Sequence, residues 1–372
     1  MIPTDWVVKR LGEVAIIKDG THQTPKYVPD GIPFYSVEHV TKDDFSNTKY
    51  ISVREHRFLT RAFKIERNDI LMTRIGSIGE CKLVDWDVAA SFYVSLALLK
   101  VYGAWPAYIE QYSKSNAFKV EVEARSLQSA IPRKINLGPI SDVMVAFPPR
   151  AEQIIIAETL KDVDCLVDSI EQLLAKKQQI KKGIMQELLS GQRRLPWFNG
   201  GWEVKSLGSV APLQRGFDLP SSELQDGSYP VVYSNGILNY HTMFRVKGPG
   251  IVTGRSGTIG SVTFVEQDFW PHNTALWVTS FQGNDPRFIF YLYAYIGLER
   301  FATGSGVPTL NRNDVHAFNV EIPCEIEEQV AIASILSEMD DDIVILETQL
   351  KKARHLKQGM MQELLTGRIR LV

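Results

Sequence analysis

The chain has 372 residues, 44% of them hydrophobic and 10% aromatic, which allows two or three folded domains with apolar cores. The net charge is −2, so charge alone does not make the chain a general binder of polyanions. It contains no uncharged apolar stretch of eighteen residues, and three scattered cysteines (Cys81, Cys165 and Cys324) exclude a disulfide framework. We therefore expect a cytoplasmic protein with no membrane span.

The first segment, residues 1–149, is predicted to mix short strands and helices. β-rich runs at Asp69–Thr73 and Phe92–Val101 lie between turn residues, whereas Ala107–Ala124 has the apolar spacing of a helix. This combination predicts an α+β domain.

One pattern in this segment is a candidate for catalysis. Asp69, followed by Glu80 and Lys82, fits the Asp…Glu-x-Lys arrangement of metal-dependent nucleases, in which two carboxylates bind Mg²⁺. The pattern is short, and the second half of the chain has Ser261-Val262-Thr263 at the matching place. We favour solvated charges at strand ends and keep the nuclease as an alternative.

A long helix is predicted over Glu152–Gly191. Its apolar stripe, stepped by four and three from Ile156, is typical of a coiled coil, and prolines before it and a glycine after it mark both ends. About forty residues at 1.5 Å per residue give a rod on the order of 60 Å, which suits a spacer better than a core helix.

The second globular segment, residues 196–324, shares landmarks with the first. Trp202, Leu207 and Gly208 repeat the spacing of Trp6, Leu11 and Gly12. Further matches are Thr73–Gly79 with Gly254–Gly260, and Ala130-Ile131-Pro132 with Gly306-Val307-Pro308. Strands are predicted at Val231–Tyr233 and Gly250–Thr253, and a helix at Pro286–Thr303.

The long helix also recurs, at Glu328–Gly367, with a constant offset of 176 residues. GIMQELLSG at Gly183–Gly191 becomes GMMQELLTG at Gly359–Gly367, so the chain is an internal duplication. Because a globular segment separates the two helices, they can pair antiparallel within one chain. A homodimeric coiled coil is the alternative.

Polar loops flanked by glycine occupy matched places in the two halves, and their side chains are the types that contact phosphates or base edges. We predict DNA contacts from the following residues: Lys18, Thr21, His22, Lys26, Arg74, Ser77, Arg125, Gln128, Arg133 and Lys134 in the first half, and Arg215, Ser234, Asn235, Arg255, His272, Asn273, Thr309, Asn311 and Arg312 in the second. Ordinary hydrophilic turns are the alternative for each of them.

Taken in order, these motifs resemble the specificity subunit of type I restriction-modification systems over the whole chain. The resemblance rests on a Trp-x₄-Leu-Gly opening, an Arg-x-Gly-x-x-Gly turn, a Pro-x-x-Glu-Gln start of the helix at Pro149–Gln153 and a Met-Gln-Glu-Leu-Leu-x-Gly end, each present twice. The second helix start departs from the pattern, because four residues separate Pro323 from Glu328 where two separate Pro149 from Glu152.

The resemblance implies an α+β fold with two similar target recognition domains, joined by two long helices that form an antiparallel intramolecular coiled coil with pseudo-twofold duplication. Its implied boundaries are 1–149 for the first recognition domain, 150–195 for the central spacer helix, 196–324 for the second domain and 325–372 for the C-terminal spacer helix. Each domain is expected to read one part of a bipartite, asymmetric site in double-stranded DNA.

The resemblance also implies partners. Two methyltransferase subunits are expected to dock on the helices, with restriction subunits in the full complex, and we place their contacts at Gln186, Glu187, Gln362 and Glu363. The chain itself is expected to be non-catalytic and to hold no metal or cofactor. S-adenosylmethionine, ATP and Mg²⁺ are expected on the partner subunits. A structural coiled-coil protein with no role in nucleic-acid binding is the remaining alternative.

Overall fold

The computed structural model describes residues 3–304 and 308–371. The chain divides into two compact units: unit 1 runs to Ile170 and resumes at Gln349, and unit 2 comprises Glu171–Thr348. The landmark residues Gly306 and Val307 lie outside the described residues. No helix in the described ranges is long and apolar enough to cross a membrane.

In unit 1, short strands and helices precede one long helix. The strands are β1 (Val7–Arg10), β2 (Ala15–Asp19), β3 (Tyr27–Val28), β4 (Ile32–Tyr35), β5 (Lys49–Ile51), β6 (Ile70–Thr73), β7 (Cys81–Leu83), β8 (Ser91–Phe92), β9 (Leu96–Val101) and β10 (Met144–Phe147). The helices are α1 (Val37–Lys42), α2 (Val53–Leu59), α3 (Pro106–Ser113), α4 (Asn116–Arg125), α5 (Leu137–Ser141) and α6 (Arg150–Leu189), which continues into unit 2 from Glu171.

Unit 2 has the same plan. Its strands are β11 (Trp202–Ser206), β12 (Leu213–Arg215), β13 (Tyr229–Tyr233), β14 (Gly236–His241), β15 (Gly250–Gly254), β16 (Val262–Val265), β17 (Trp270–Pro271), β18 (Ala275–Val278), β19 (Ala302–Thr303), β20 (Thr309–Leu310) and β21 (Asn319–Pro323). Its helices are α7 (Leu207–Val210), α8 (Pro286–Ile296), α9 (Arg312–Ala317) and α10 (Ile326–Leu364), whose residues from Gln349 onward belong to unit 1.

The strand orders of the two units match. A four-stranded sheet has the order β2-β9-β6-β7 in unit 1 and β12-β18-β15-β16 in unit 2. In both units the first strand pairs antiparallel with the last one, β1 with β10 and β11 with β21. The parallel pair β4–β8 likewise has a counterpart in β13–β17. The structure therefore confirms the duplication in topology, well beyond the few shared sequence landmarks.

Apolar runs fix the inner strands of these sheets. Every residue of β6 and of β15 is buried, as expected for strands covered on both faces. Unit 1 departs from unit 2 between β4 and β6, where it carries α1, β5 and α2. In unit 2 the hairpin strand β14 follows β13 directly, and the described residues 242–249 that lead into β15 contain no helix.

The long helices follow the predicted stripe. Every position of both 3.5-residue stripes, from Ile156 to Leu188 and from Ile332 to Leu364, is buried or half-buried. Both helices also end in the predicted way, since Gly191 and Gly367 have φ of 69° and 70°, the left-handed conformation that glycine adopts without steric cost.

Each unit closes its core with pieces of both long helices. In unit 1, Leu160 of α6 and Leu364 of α10 join one apolar cluster, and in unit 2 Leu188 of α6 and Leu336 of α10 do the same. Truncating such a buried leucine to alanine typically costs about 2–5 kcal/mol. The helix pairs are therefore part of each folded core and are held by hydrophobic burial.

Ion pairs give the direction of the helix pairing. In unit 2, Lys177 Nζ lies 2.7 Å from Asp342 Oδ2, and Lys181 pairs with Asp340, so the partner's number falls as the chain advances. In unit 1, Lys357 Nζ lies 2.5 Å from Asp164 Oδ1. The helices thus pair antiparallel within one chain in each unit, which confirms the predicted coiled coil over the homodimeric alternative.

Three predicted elements were wrong in extent. The helix expected at Ala107–Ala124 is two helices, because the Ser115 side chain accepts from the Phe118 N–H and starts a new helix there. The helix expected at Pro286–Thr303 ends at Ile296, where Gly297 takes a left-handed φ of 68°. The strand expected at Phe92–Val101 is interrupted by a turn before Leu96.

Candidate nucleic-acid interface

In unit 1, three polar loops meet at one end of the four-stranded sheet. Asp19 pairs with Ala97 and Thr73 with Leu96, so β2 and β6 finish at the same end, beside the turn before β9. The loop at residues 74–80 then contacts a third loop at residues 126–134, since the Gly76 N–H donates to the Arg133 carbonyl at 2.8 Å. The predicted contacts of the first half, distant in sequence, therefore lie around one surface.

The structure gives Arg74 a different role from the predicted DNA contact. Its side chain is only 5% exposed, its guanidinium is ion-paired with Asp19, and its Nε donates to the Ile135 carbonyl at 3.2 Å. Because a buried, paired guanidinium cannot also reach phosphate, Arg74 is a positioning residue. It ties together the end of β2, the 74–80 loop and the residues that follow the 126–134 loop.

The end of β2 and the loop after it present four of the predicted side chains. His22 is exposed, with its Nε2 2.8 Å from Asp19 Oδ2, and Lys26 is exposed with no ion pair in the described part of the chain. Lys18 is half-buried, and its Nζ lies 5.9 Å from the centre of the Phe63 ring. Thr21 is half-buried and its backbone pairs with β8 and the adjacent Tyr93.

In and beside the other two loops, several of the predicted side chains are paired with residues of unit 1. Arg125 lies 2.6 Å from Glu121, and Arg133 is ion-paired with Glu123. Gln128 Nε2 donates to the Glu123 carbonyl at 2.9 Å, and Ser77 Oγ donates to Glu80 at 2.7 Å. The remaining member, Lys134, is half-buried and shares backbone bridges with Ile75 and Leu127. Such surface pairs are weak, so phosphate can exchange for the carboxylates.

Unit 2 builds its surface from the equivalent strand ends. Arg215 pairs with Leu276 and Gly254 with Ala275, which brings the ends of β12 and β15 together. Arg255 is half-buried, and its Nη1 donates to the Asn273 carbonyl at 3.3 Å. Unlike Arg74, it has no carboxylate partner among the described residues, so its guanidinium keeps free donors.

The β13–β14 hairpin adds its tip to this surface. Ser234 and Asn235 form its two-residue turn, and a Cβ on Gly254 would lie 2.9 Å from the Ser234 carbonyl oxygen. The His272 ring lies 4.4 Å from the Tyr233 ring, and burial lowers the pKa of this histidine. The Nδ1 of His272 also lies 3.0 Å from Thr274 Oγ1, so this ring nitrogen already has a partner within unit 2.

The remaining predicted contacts of unit 2 border the same loops. Thr309 forms a backbone bridge with Ser256, next to Arg255. Asn311 caps α9 by accepting from the Asn313 N–H at 3.0 Å, which commits its side-chain oxygen, whereas Arg312 is exposed. Asn273 hydrogen-bonds Asp218, which also lies 3.2 Å from Arg215, an acidic neighbour that sequence reasoning missed.

The nuclease alternative is wrong. Asp69 lies at one end of the β6–β7 hairpin, where its carbonyl accepts from the Val84 N–H, and Glu80 lies at the other end, beside Thr73. Asp69 is bound by Lys100 Nζ at 2.8 Å, and Lys82 is bound by Asp43 at 2.6 Å. Four residues of extended strand, roughly 13 Å, separate the two carboxylates, so one metal ion cannot bind both.

At the start of each long helix, a glutamine side chain forms hydrogen bonds to two other segments of its unit. In the sequence, this residue is visible only as part of a repeated Glu-Gln pair. Gln153 donates to the Pro148 carbonyl at 2.8 Å and accepts from the Trp105 N–H at 2.8 Å, which fixes α3 to the last strand. Gln329 repeats this with the Pro323 carbonyl and the Asp285 N–H, both at 2.9 Å. These hydrogen bonds hold the start of each long helix to the globular part of its own unit.

The helix ends show how the predicted partner contacts lie. Gln186, Glu187 and Gln362 are exposed and Glu363 is half-buried. Each glutamate lies 3.3 Å from a following arginine, Glu187 from Arg193 and Glu363 from Arg368. The polar side of the repeated motif faces solvent while its leucines join the core.

Comparison with known proteins identifies the family. The family model for the type I restriction modification DNA specificity domain matches twice, at residues 3–182 and 199–353. The chain belongs to this family. It therefore carries two DNA specificity domains and is a specificity subunit of the type I restriction-modification kind. Because such subunits are non-catalytic, membership also confirms that this chain is not itself an enzyme, and it removes the alternative of a purely structural coiled coil.

Relatives of similar length support this assignment. Two Methanocaldococcus jannaschii proteins align with the whole chain. The first, provisionally named the type I restriction enzyme MjaX specificity subunit, is 24% identical, and the alignment covers 95% of its length. The second, the type I restriction enzyme MjaVIII specificity subunit, is 23% identical, and the alignment covers 94% of its length. The match spans both halves, in agreement with the resemblance inferred from the repeated motifs.

Solved structures share the fold. The S subunit of a type I restriction-modification system from M. genitalium gives a TM-score of 0.69 at 15% identity, over 98% of this chain and 96% of that one. A chain from a structure describing complex assembly and conformational transition of the type I R-M system gives 0.58 at 14% identity, over 99% of this chain and 100% of that one. These likenesses confirm the predicted α+β duplicated fold with two long helices.

Proposed function

We propose that each unit of this family member reads one part of a bipartite, asymmetric sequence in double-stranded DNA. The observation that carries the proposal is that both units use the same sheet and strand ends to present different side chains: Lys18, His22 and Lys26 in unit 1, and Asn235, Arg255 and His272 in unit 2. A common scaffold with divergent loops suits two different half-sites, since base edges are distinguished by the pattern of donors and acceptors.

Exchange of one domain tests this proposal. Replacing residues 1–149 by the corresponding segment of a relative should change one half of the methylated sequence and leave the other half unchanged, as read by methylome sequencing of the host. Deletion of the gene should remove methylation of the whole site. A change in both halves after the exchange would show that the units do not read independently. The experiment also tests the proposed boundary at 150, and the matching exchange of residues 196–324 tests those at 196 and 325.

We further propose that two methyltransferase subunits bind to the helix ends, one at Gln186 and Glu187 and the other at Gln362 and Glu363. The same polar residues occur twice, three of them exposed and Glu363 half-buried, next to leucines that are buried in the core of each unit. The duplication therefore supplies two similar surfaces. Restriction subunits join the larger assembly. S-adenosylmethionine, ATP and Mg²⁺ are bound by those partners, and the complex works in the cytoplasm.

Co-purification tests the docking surfaces. Gln186→Arg with Glu187→Arg should release one methyltransferase subunit, and adding the matching Gln362 and Glu363 changes should release both. Two exposed residues in the middle of the helix, Lys176 and Gln179, provide a control pair whose change to Glu should leave the stoichiometry at two. Retention of both subunits by the quadruple variant would place the docking surface elsewhere.

A further inference from the structure

An exposed arginine-rich surface lies on α2 and the turn after it, a region of unit 1 that unit 2 does not repeat. Residues 53–64 contain four basic residues, Arg54, Arg57, Arg61 and Lys64, against a single acidic one, Glu55. All four basic residues are exposed. For a chain with a net charge of −2, this is a strong local concentration of positive charge.

Of these four basic residues, only Lys64 has a carboxylate partner within the described residues, Glu66 at 3.6 Å. In the described ranges, the side chains of Arg54 and Arg57 make neither a hydrogen bond nor an ion pair, and Arg61 stacks at 5.1 Å on the ring of Phe58, which is itself 64% exposed. Arg54 and Arg57 are three residues apart on one helix face, where like charges destabilise a helix. Neither burial nor ion pairing within the described residues therefore accounts for the three arginines.

Polar contacts fix this helix against the candidate interface of unit 1. Glu55 Oε1 accepts from the Lys26 N–H at 3.3 Å, and the His56 ring contacts Ser91 Oγ at 2.9 Å. The only acidic side chain of the surface is thus turned to the loop after β2. A cavity of about 200 Å³ lies between that loop and the end of the helix, lined by Thr21, Thr60 and Lys64 among others.

We infer that Arg54, Arg57 and Arg61 bind the phosphate backbone of the DNA that unit 1 reads, next to the bases contacted from the loop after β2. This inference rests on the proposed function and extends it. Three exposed guanidinium groups, with no carboxylate partner in the described part of the chain, have the charge and the donor geometry for phosphate oxygens. Their continuity with Lys26 makes duplex DNA, rather than an acidic protein, the occupant of this surface.

Salt dependence distinguishes phosphate contacts from base contacts. The full chain, assembled with its methyltransferase subunits, is titrated with a duplex carrying the methylated site at several salt concentrations. Removing one phosphate contact should reduce the slope of log K against log salt by about 0.9. Arg54→Gln with Arg57→Gln should therefore lower the slope by about 1–2, weaken matched and mismatched duplexes alike and leave the methylated sequence unchanged. Glutamine is chosen because its helix propensity is close to that of arginine.

Two further variants control for folding and for total charge. Arg54→Lys with Arg57→Lys keeps the charge and should keep the wild-type slope. Lys9→Gln with Arg10→Gln removes two exposed charges near the Ala15 end of β2, the opposite end from the loops, and should also keep it. An unchanged slope in the Arg54/Arg57 glutamine variant, or an altered methylated sequence, would overturn the inference. Failure of the proposed function has another signature, a wild-type complex that binds DNA without sequence preference.

Discussion

Arg370 binds Glu152 through two parallel hydrogen bonds, from Nε and Nη2 to the two carboxylate oxygens, both 2.7 Å long. The two residues are 218 positions apart in the sequence. Arg194 holds Glu328 in the same way, at 3.0 and 2.6 Å. Both glutamates are almost completely buried, and both pairs match at the repeat offset of 176 residues. In each unit, the arginine comes from the end of one repeat and the glutamate from the start of the other helix.

Breaking this pair should destabilise one unit selectively. Glu152→Gln removes the buried carboxylate of this pair and leaves Arg370 with the exposed Asp5, at 2.6 Å, as its carboxylate partner. Loss of one member of a buried pair is destabilising. We expect the melting transition of unit 1 to fall by roughly 5 °C or more. Hydrogen exchange, followed with rising temperature and resolved for each unit, measures this change in the melting transition. The exposed Glu158→Gln on the same helix is the control, and an equal effect from both changes would contradict a specific role for the pair.

Acid should weaken the helix pair of unit 1 through Asp164. Burial opposes ionisation of this carboxyl, but hydrogen bonds from Lys357 and Lys114 outweigh it, so its pKa lies below the ordinary value of 3.8. A carboxyl whose pKa is lowered by folding stabilises the fold above its ordinary pKa and loses that contribution as the pH falls through the lowered value. We therefore expect Asp164→Asn to reduce stability at pH 7 and to flatten its loss below about pH 4.

The exposed Asp168→Asn on the same helix should change neither quantity. Urea unfolding followed between about pH 2.5 and 7 provides the comparison. If the stability of Asp164→Asn runs parallel to that of the wild type at all pH values, ionisation of this carboxyl does not stabilise the helix pair.

The sequence predicted the helices better than the domains because the two rest on different kinds of signal. A 3.5-residue stripe is local and long, so Ile156 and Leu160 could be placed on a seam without knowledge of any partner. The sequence around Ser115, by contrast, is compatible both with a continuous helix and with a new helix capped by this serine. Only the hydrogen bond from the Phe118 N–H to the Ser115 side chain distinguishes the two.

Burial of polar side chains could not be read from the sequence either. Arg74 and Arg255 occupy the same place in a repeated turn, yet one is enclosed by Asp19 and the Ile135 carbonyl while the other is half-exposed. The convergence of the polar loops also required strand register, because register decides which loop faces which. Sequence reasoning thus found the loops of the candidate interface but not which of their side chains are free.

These two arginines should behave differently when removed. Arg74→Ala should lower the stability of unit 1 and weaken all DNA sequences alike, because three segments lose a common anchor. Arg255→Ala should leave stability nearly unchanged and cost about 1–3 kcal/mol at a single base position if it contacts a base edge. Thermal melts with binding to a panel of single-base variants measure both effects. Selective loss at one position in Arg74→Ala would return that residue to the set of base contacts.

Lengthening a long helix tests whether the helices determine the spacing of the two half-sites. Inserting four residues after Ala175 adds about 6 Å of helix, close to two base pairs of B-DNA. Four residues also approximate one helical turn, so the apolar stripe keeps nearly the same phase. We expect methylome sequencing to find the same bases in each half-site, with the gap between them larger by roughly one or two base pairs.

A two-residue insertion at the same place is the matched control for added length. It rotates the stripe by about 200°, which turns the apolar seam to solvent, so we expect loss of folding and of methylation instead of a longer gap. The four-residue variant is the informative one, because it preserves the seam and alters only the length. If that variant methylates DNA with an unchanged gap, the paired helices do not set the spacing, and the distance between half-sites must be fixed by the partner subunits or by the DNA.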